Sequence, residues 1–252
     1  MCYSIEQRLQ AAMKRARYWN DQRNIDRISE LLKNFEDKYH ASGFAHPQII
    51  AYTNEQPTEP TLLTWGLVPQ WIKKEQDAKS IWNKTINARS ETIFEKPSFR
   101  DAAKNNRCII PVNGFYEHHH FKGKKYPFYI HKIDDEPLNI AGIWSEWPNQ
   151  ETGEIVQSCS IVTTQANAMM AKIHNNPKLP EPRMPVILPK AREEEWLKSN
   201  DKKSLQQLLH PLAEKELKAH TVRKLSGKDS VGNTPEASEV YIYSELELNL
   251  NQ

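Results

Sequence analysis

The feature that most constrains the fold is a series of short β-rich runs, bounded by turn-forming residues, that fills the chain from Gln48 to Leu188. The runs cover 48–53, 61–67, 108–116, 126–131, 138–144, 158–164 and 186–188. Runs this short, rich in β-branched and aromatic residues, predict a mainly antiparallel sheet system. Helical patterning lies on either side. Over 24–39, Ile25, Ile28, Leu32, Phe35 and Tyr39 recur at alternating spacings of three and four, the apolar stripe of an amphipathic helix. A less regular helix is predicted over 5–18, two more over 191–199 and 204–209, and a returning strand over 217–222. No repeat or linker divides the chain, which predicts one α+β domain. Residues 226–235, rich in Gly, Ser, Asn and Thr, predict a loop leading to a polar end that carries Glu245 and Glu247.

Composition narrows the function classes. A hydrophobic content of 38% over 252 residues suffices for a real core. The early charges Glu6, Arg8, Lys14, Arg15 and Arg17 interrupt any signal-like apolar run, and no stretch has membrane-spanning length. A soluble, cytoplasmic protein without a membrane partner is expected. The cysteines Cys2, Cys108 and Cys159 are odd in number and lack CxxC spacing, so neither a disulfide framework nor a zinc-thiolate site is expected. With 34 Lys and Arg against 32 Asp and Glu, a nucleic-acid face has to come from local clustering, for which Arg89, Arg100, Lys104, Arg107, Lys124 and Lys125 are candidates.

Cys2 carries the chemistry that an internal cysteine lacks. Removal of Met1 would leave a 1,2-aminothiol, whose amine can condense with an aldehyde while the thiol closes on the same carbon as a thiazolidine. Reference pKa values of about 7.7–8.0 for the amine and about 8.5 for the thiol leave some of each reactive near neutrality. Other constellations have two readings each. WGLVPQW (65–71) is either a strand ending in a turn or a presentation of Trp71 as a stacking platform for an unstacked base. In NARSET (87–92), Ser90 suits the cap of a helix beginning nearby, whereas Asn87 offers an amide for a carbonyl and Arg89 a fork for phosphate. GFYE (114–117) ends an apolar strand in Glu117, a carboxylate suited to acid–base work if buried. His118 and His120 would share one face of an extended segment, but no HExxH or CxxC partner completes a metal site. His174 precedes a proline-rich stretch and is either structural or catalytic.

Taken in this order, Cys2, WGLVPQW, NARSET, GFYE and a histidine upstream of RMPVILP (183–189) resemble the SRAP family, the SOS-response-associated peptidase-like proteins that process abasic sites in single-stranded DNA. FAHP (44–47) and AGIW (141–144) add to the resemblance, which spans Cys2 to about Val222. It implies a single compact α+β domain over 1–225 with a mixed, mainly antiparallel β core flanked by helices, a loop and tail over 226–252, and a monomer without cofactor or metal. It implies a partner, single-stranded DNA with abasic sites, held in a positive groove. In catalysis Cys2 would form the thiazolidine with the ring-opened sugar, Asn87 would position the sugar or amine, Glu117 would move protons, and His174 would protonate the ring oxygen. Arg89, Trp71, Pro47 and Arg183 would contact DNA. The family name carries a peptidase step, here the loss of Met1 by the chain itself or by an aminopeptidase. An N-terminal-nucleophile cysteine amidohydrolase and a non-catalytic single-strand binder are the alternatives. Two departures stand out. Family members commonly begin Met-Cys-Gly-Arg where this chain has Tyr3 and Ser4, and the family histidine sits two residues before Arg-Met-Pro whereas His174 lies nine before Arg183, with Asn175 to Pro182 as an inserted stiff loop.

Overall fold

A computed structural model describes residues 2–18 and 22–246. Met1 and Glu247 lie outside them. The order is β1 (Ser4–Gln7), α1 (Leu9–Tyr18), α2 (Gln22–Leu31), β2 (Lys38–Ser42), β3 (Gln48–Thr53), β4 (Thr61–Trp65), α3 (Glu75–Trp82), β5 (Asn87–Arg89), α4 (Arg100–Asn105), β6 (Arg107–Val112) and β7 (Gly114–Phe121). There follow β8 (Lys124–Lys132), β9 (Leu138–Pro148), β10 (Ile155–Gln165), α5 (Ala168–Ile173), β11 (Arg183–Pro185), α6 (Glu193–Lys198), α7 (Lys202–Gln206) and β12 (Leu217–Thr221). The α+β fold with a mixed, mainly antiparallel core is as expected; its parallel pairs are β10 with β4 and with β5.

Two sheets form the core. In the larger, β3, β4, β10, β9 and β6 pair in succession and β6 returns to β3, closing a small barrel. Inward residues such as Ile49, Leu63, Trp65, Cys108, Ile110, Cys159 and Ile161 fill it. The second sheet runs β12-β8-β7-β1-β2, with β1 bonded on both sides. Cys2 enters the shared apolar core just ahead of β1.

Several expectations need correction. The helix predicted over 5–18 begins only at Leu9, because Ser4–Gln7 is captured between β2 and β7, and tertiary pairing overrides helical patterning there. The helix predicted over 24–39 ends at Leu31. Ile28 and Leu32 are buried beside Ile25 and Phe35 as its stripe requires, but Tyr39 belongs to β2 and Asp37 turns back to accept the Leu9 amide at 2.7 Å. The run at 108–116 is two strands broken at Asn113, and each joins a different sheet. Gly114 makes that crossing possible, since a Cβ there would stand 2.4 Å from the Tyr129 ring. No helix starts at Ser90; its amide bonds to the Thr163 carbonyl, and the next helix begins at Arg100. The strand predicted at 186–188 lies earlier, at Arg183–Pro185, with a single bridge from Ile187 to Ile140. The C-terminal loop packs back on the second sheet, with Ala237 buried and the Tyr241 amide bonded to Thr221.

Candidate active site

Strand pairing brings Cys2 to Glu117. β1 runs antiparallel to β7 with Ser4 opposite Tyr116, so Tyr3 and Cys2 reach the level of Glu117 and His118. Along β7 successive side chains alternate, and the face carrying Glu117 also carries His119, whose Nδ1 lies 2.9 Å from the Lys172 carbonyl oxygen of α5. The same helix ends at His174, and its Nδ1 stands 3.8 Å from the Glu117 carboxylate.

Gly43 adds the third wall. Its amide donates to the Tyr3 carbonyl at 2.8 Å, and a Cβ on it would come within 2.7 Å of the Ile86 side chain. A glycine at this point lets the segment that follows Cys2 abut the start of β5, which carries Asn87 and Arg89. Both amide atoms of Asn87 are buried and have no hydrogen-bond partner among the described residues. An amide desolvated without a partner costs about 1–3 kcal/mol, which is how a group awaiting a ligand looks.

The electrostatics divide the roles. Burial pushes the Glu117 carboxyl up to about 7, against the pull of the positive chain terminus and of the His118 amide bonded to it at 2.9 Å. Burial, and after it the Glu117 charge, drive the Cys2 thiol up to about 12, so the thiol is neutral. His174 is held down at about 4, chiefly by burial and then by the positive chain terminus. Its Nδ1 lies 2.9 Å from the Arg183 carbonyl oxygen and 3.0 Å from the Arg183 amide nitrogen, a pair of contacts that suits either tautomer of the neutral ring. The same contacts close the 175–182 loop at its base, so nine residues of sequence separation do not remove His174 from Glu117.

The SOS response associated peptidase (SRAP) family model matches residues 1–228. The chain belongs to the SRAP family. Among curated relatives, the abasic site processing protein YoqW of Bacillus subtilis is 36% identical over 87% of this chain and 92% of its own length. The abasic site processing protein HMCES of Xenopus tropicalis is 28% identical over 73% of this chain and 58% of its own length. A crystal structure of a Bacteroides thetaiotaomicron protein superposes with a TM-score of 0.83 at 33% identity, covering 96% of this chain and all of that one.

Beyond the Cys2 cluster, the residues of this SRAP chain read as DNA contacts or as a basic track differ in how far they face solvent. Arg183 is not offered to solvent: it is 1% exposed and pairs with both oxygens of Glu91, at 3.1 and 2.8 Å, with Glu181 at 2.7 Å, and with the Thr163 carbonyl. Arg107 is equally buried, and its guanidinium serves backbone carbonyls of Ala103, Lys104, Trp196, Leu197 and Ser199 at the ends of α4 and α6, which removes it from any basic track. Arg89 is partly exposed but lies 3.6 Å from Glu181 of the inserted loop. Pro47 is half-buried and its carbonyl accepts the Trp65 amide. Trp71 is 52% exposed over a cavity of about 450 Å³, lined in part by Pro97, Asp101 and Asn105, with its indole N–H on the Pro97 carbonyl. Among the described residues, no group of three or more His, Cys, Asp or Glu is arranged to hold a metal, and no helix is long and apolar enough to cross a membrane.

Sequence reasoning missed two features. Glu181 and Glu91 already engage the arginines expected to meet phosphate, and only the arginine-rich context could have hinted at that. Phe44 stacks on Tyr3, with ring centroids 4.8 Å apart at 28°, beside Cys2.

Proposed function

We propose that this protein processes abasic sites in single-stranded DNA by forming a covalent thiazolidine between the ring-opened sugar and Cys2 after loss of Met1. The observation that carries the reading is a buried carboxyl, Glu117, held near neutrality between a second-position cysteine and a histidine. A carboxyl with a pKa close to ambient pH can both give and take a proton, which is what an aldehyde–aminothiol condensation needs. The names of the bacterial and vertebrate relatives point to the same lesion.

The chemistry follows from those protonation states. The Cys2 amine adds to the sugar aldehyde to give a carbinolamine. Glu117 donates its proton to the departing hydroxyl, which leaves as water, and an iminium remains. The thiol then adds to the same carbon, and its proton returns to the Glu117 carboxylate. The balance is one aldehyde and one aminothiol giving one thiazolidine and one water. A thiol of high pKa is kept from ionising until that step, and its proton needs an acceptor close by. His174 is neutral at pH 7, and in its Nε2–H tautomer it would donate to the sugar ring oxygen rather than act as an imidazolium acid. Asn87 accepts the substrate's polar atoms in place of the partners its amide lacks.

DNA would be held through its backbone and bases. Arg89 exchanges Glu181 for a phosphate, Pro47 flanks the entry, and Trp71 supplies a stacking face. Arg183 acts indirectly, by fixing Glu91 and Glu181. Intact mass of the purified protein, alone and with a single-stranded oligonucleotide carrying one abasic site, tests the reading. A species lacking Met1, with an adduct that forms without borohydride and is lost in Cys2→Ala, is expected. Retained Met1 or no adduct would overturn it.

A further inference from the structure

We propose that Tyr3 and Phe44 form an aromatic shelf that stacks the nucleobase next to the baseless sugar. The inference rests on the reading of the site as one that takes single-stranded DNA. Tyr3 directly follows Cys2, and its ring lies face to face with that of Phe44 at 4.8 Å and 28°. The hydrogen bond from the Gly43 amide to the Tyr3 carbonyl at 2.8 Å locks the two segments together. Phe44 stands on a single 3-10 turn, Gly43–Ala45, and is 56% exposed, although a phenylalanine gains most by burial. The shelf is also within electrostatic reach of both a reacting group and the candidate phosphate contact. The Tyr3 hydroxyl, raised chiefly by burial, feels Glu117 and Arg89 in opposite senses.

A flat aromatic pair at this place fits a nucleobase better than other partners. A base has a π-face whatever its identity, and the sugar beside it has none to offer. The strand flanking a lesion therefore has a base that has lost one stacking neighbour, and an aromatic surface next to the nucleophile replaces that neighbour. Ser4, next in the chain after Tyr3, is engaged with His40 at 3.3 Å, which leaves the aromatic pair as the flat surface next to Cys2.

The test uses the whole protein and an oligonucleotide with a tetrahydrofuran abasic analogue, which cannot open to an aldehyde, flanked by 2-aminopurine on one side or the other. On the occupied side, binding should quench the 2-aminopurine fluorescence. Phe44→Ala should restore it and weaken binding about tenfold, without changing the salt dependence. Phe44→Trp should keep both the quenching and the affinity, which separates stacking from a folding defect. Unquenched fluorescence on both sides in the unaltered protein, or equal affinity of Phe44→Ala, would overturn the shelf. Cys2-dependent adduct formation on a true abasic site, measured in parallel, is unaffected by that failure and is lost only if the underlying reading fails.

Discussion

Replacing Glu117 with glutamine should stabilise the protein while stopping its chemistry. Burial raises this carboxyl from its ordinary 4.5 to about 7. Between those values the unfolded chain has released the proton that the folded chain still holds, so stability falls as pH rises and the full penalty is present above the folded pKa. At about 1.4 kcal/mol per unit the shift corresponds to about 3 kcal/mol, of which about 2 should survive relaxation around the site. Glutamine keeps the oxygen that accepts the His118 amide but never ionises. The variant should thus match the parent near pH 4 and exceed it by about 2 kcal/mol above roughly pH 8. Urea unfolding of both proteins across that range measures the difference. Depressed histidines such as His118 and His174 impose a pH dependence of their own at lower pH, but both are neutral in the folded and the unfolded chain by pH 8, where the difference is read. Crosslinking to an abasic oligonucleotide should slow by about 10²-fold or more. A stability difference that does not change with pH, or a variant weaker than the parent at high pH, would refute the buried-acid argument.

Other outcomes follow from the same geometry. Glu181→Gln should tighten binding to undamaged single-stranded DNA by about two- to fivefold, the scale of one partly exposed ion pair, and the gain should vanish in an Arg89→Gln background when both are measured by anisotropy. Asn87→Leu should leave the melting temperature unchanged or raised, because it removes a buried amide without partners, yet cut the crosslinking rate at saturating DNA. Arg107→Ala should cost about 3 kcal/mol or more, read by denaturant unfolding, by orphaning the carbonyls that α4 and α6 present to it.

How much of this was legible in the sequence depended on whether local pattern or distant pairing decided the outcome. The strand at Gln48–Thr53 was readable to its ends because turn residues bound it and both of its barrel neighbours agree with its alternation. β1 was not, since four residues next to a helical pattern become a strand only when β2 and β7 lie on either side. The short helices α3, α4 and α5 were missed while the equally short α6 and α7 were read, since eight residues or fewer give a weak period that flanking signals have to complete. At the site, the residue types announced candidate chemistry but not its protonation. Glu117 and His174 each read as ambiguous alone, and only burial in the fold, which sets them 3.8 Å apart, raises the carboxyl to about 7 and holds the imidazole at about 4. Arg183 shows the opposite case: an arginine that the sequence offered as a DNA contact, whose guanidinium the fold engages with two carboxylates.

The interior position of β1, between β7 and β2, also sets an order in time. The strand that follows the nucleophile is made first but is completed only when β7, beginning at Gly114, leaves the ribosome. At synthesis rates of about 5–20 residues per second, the interval is on the order of 10 s. During it the start of the chain has β2 alone to pair with and is open to an aminopeptidase; once β7 is in place Cys2 is 1% exposed. Maturation of the nucleophile is therefore expected on nascent chains, and pulse-labelled protein that keeps Met1 until after release would contradict that schedule.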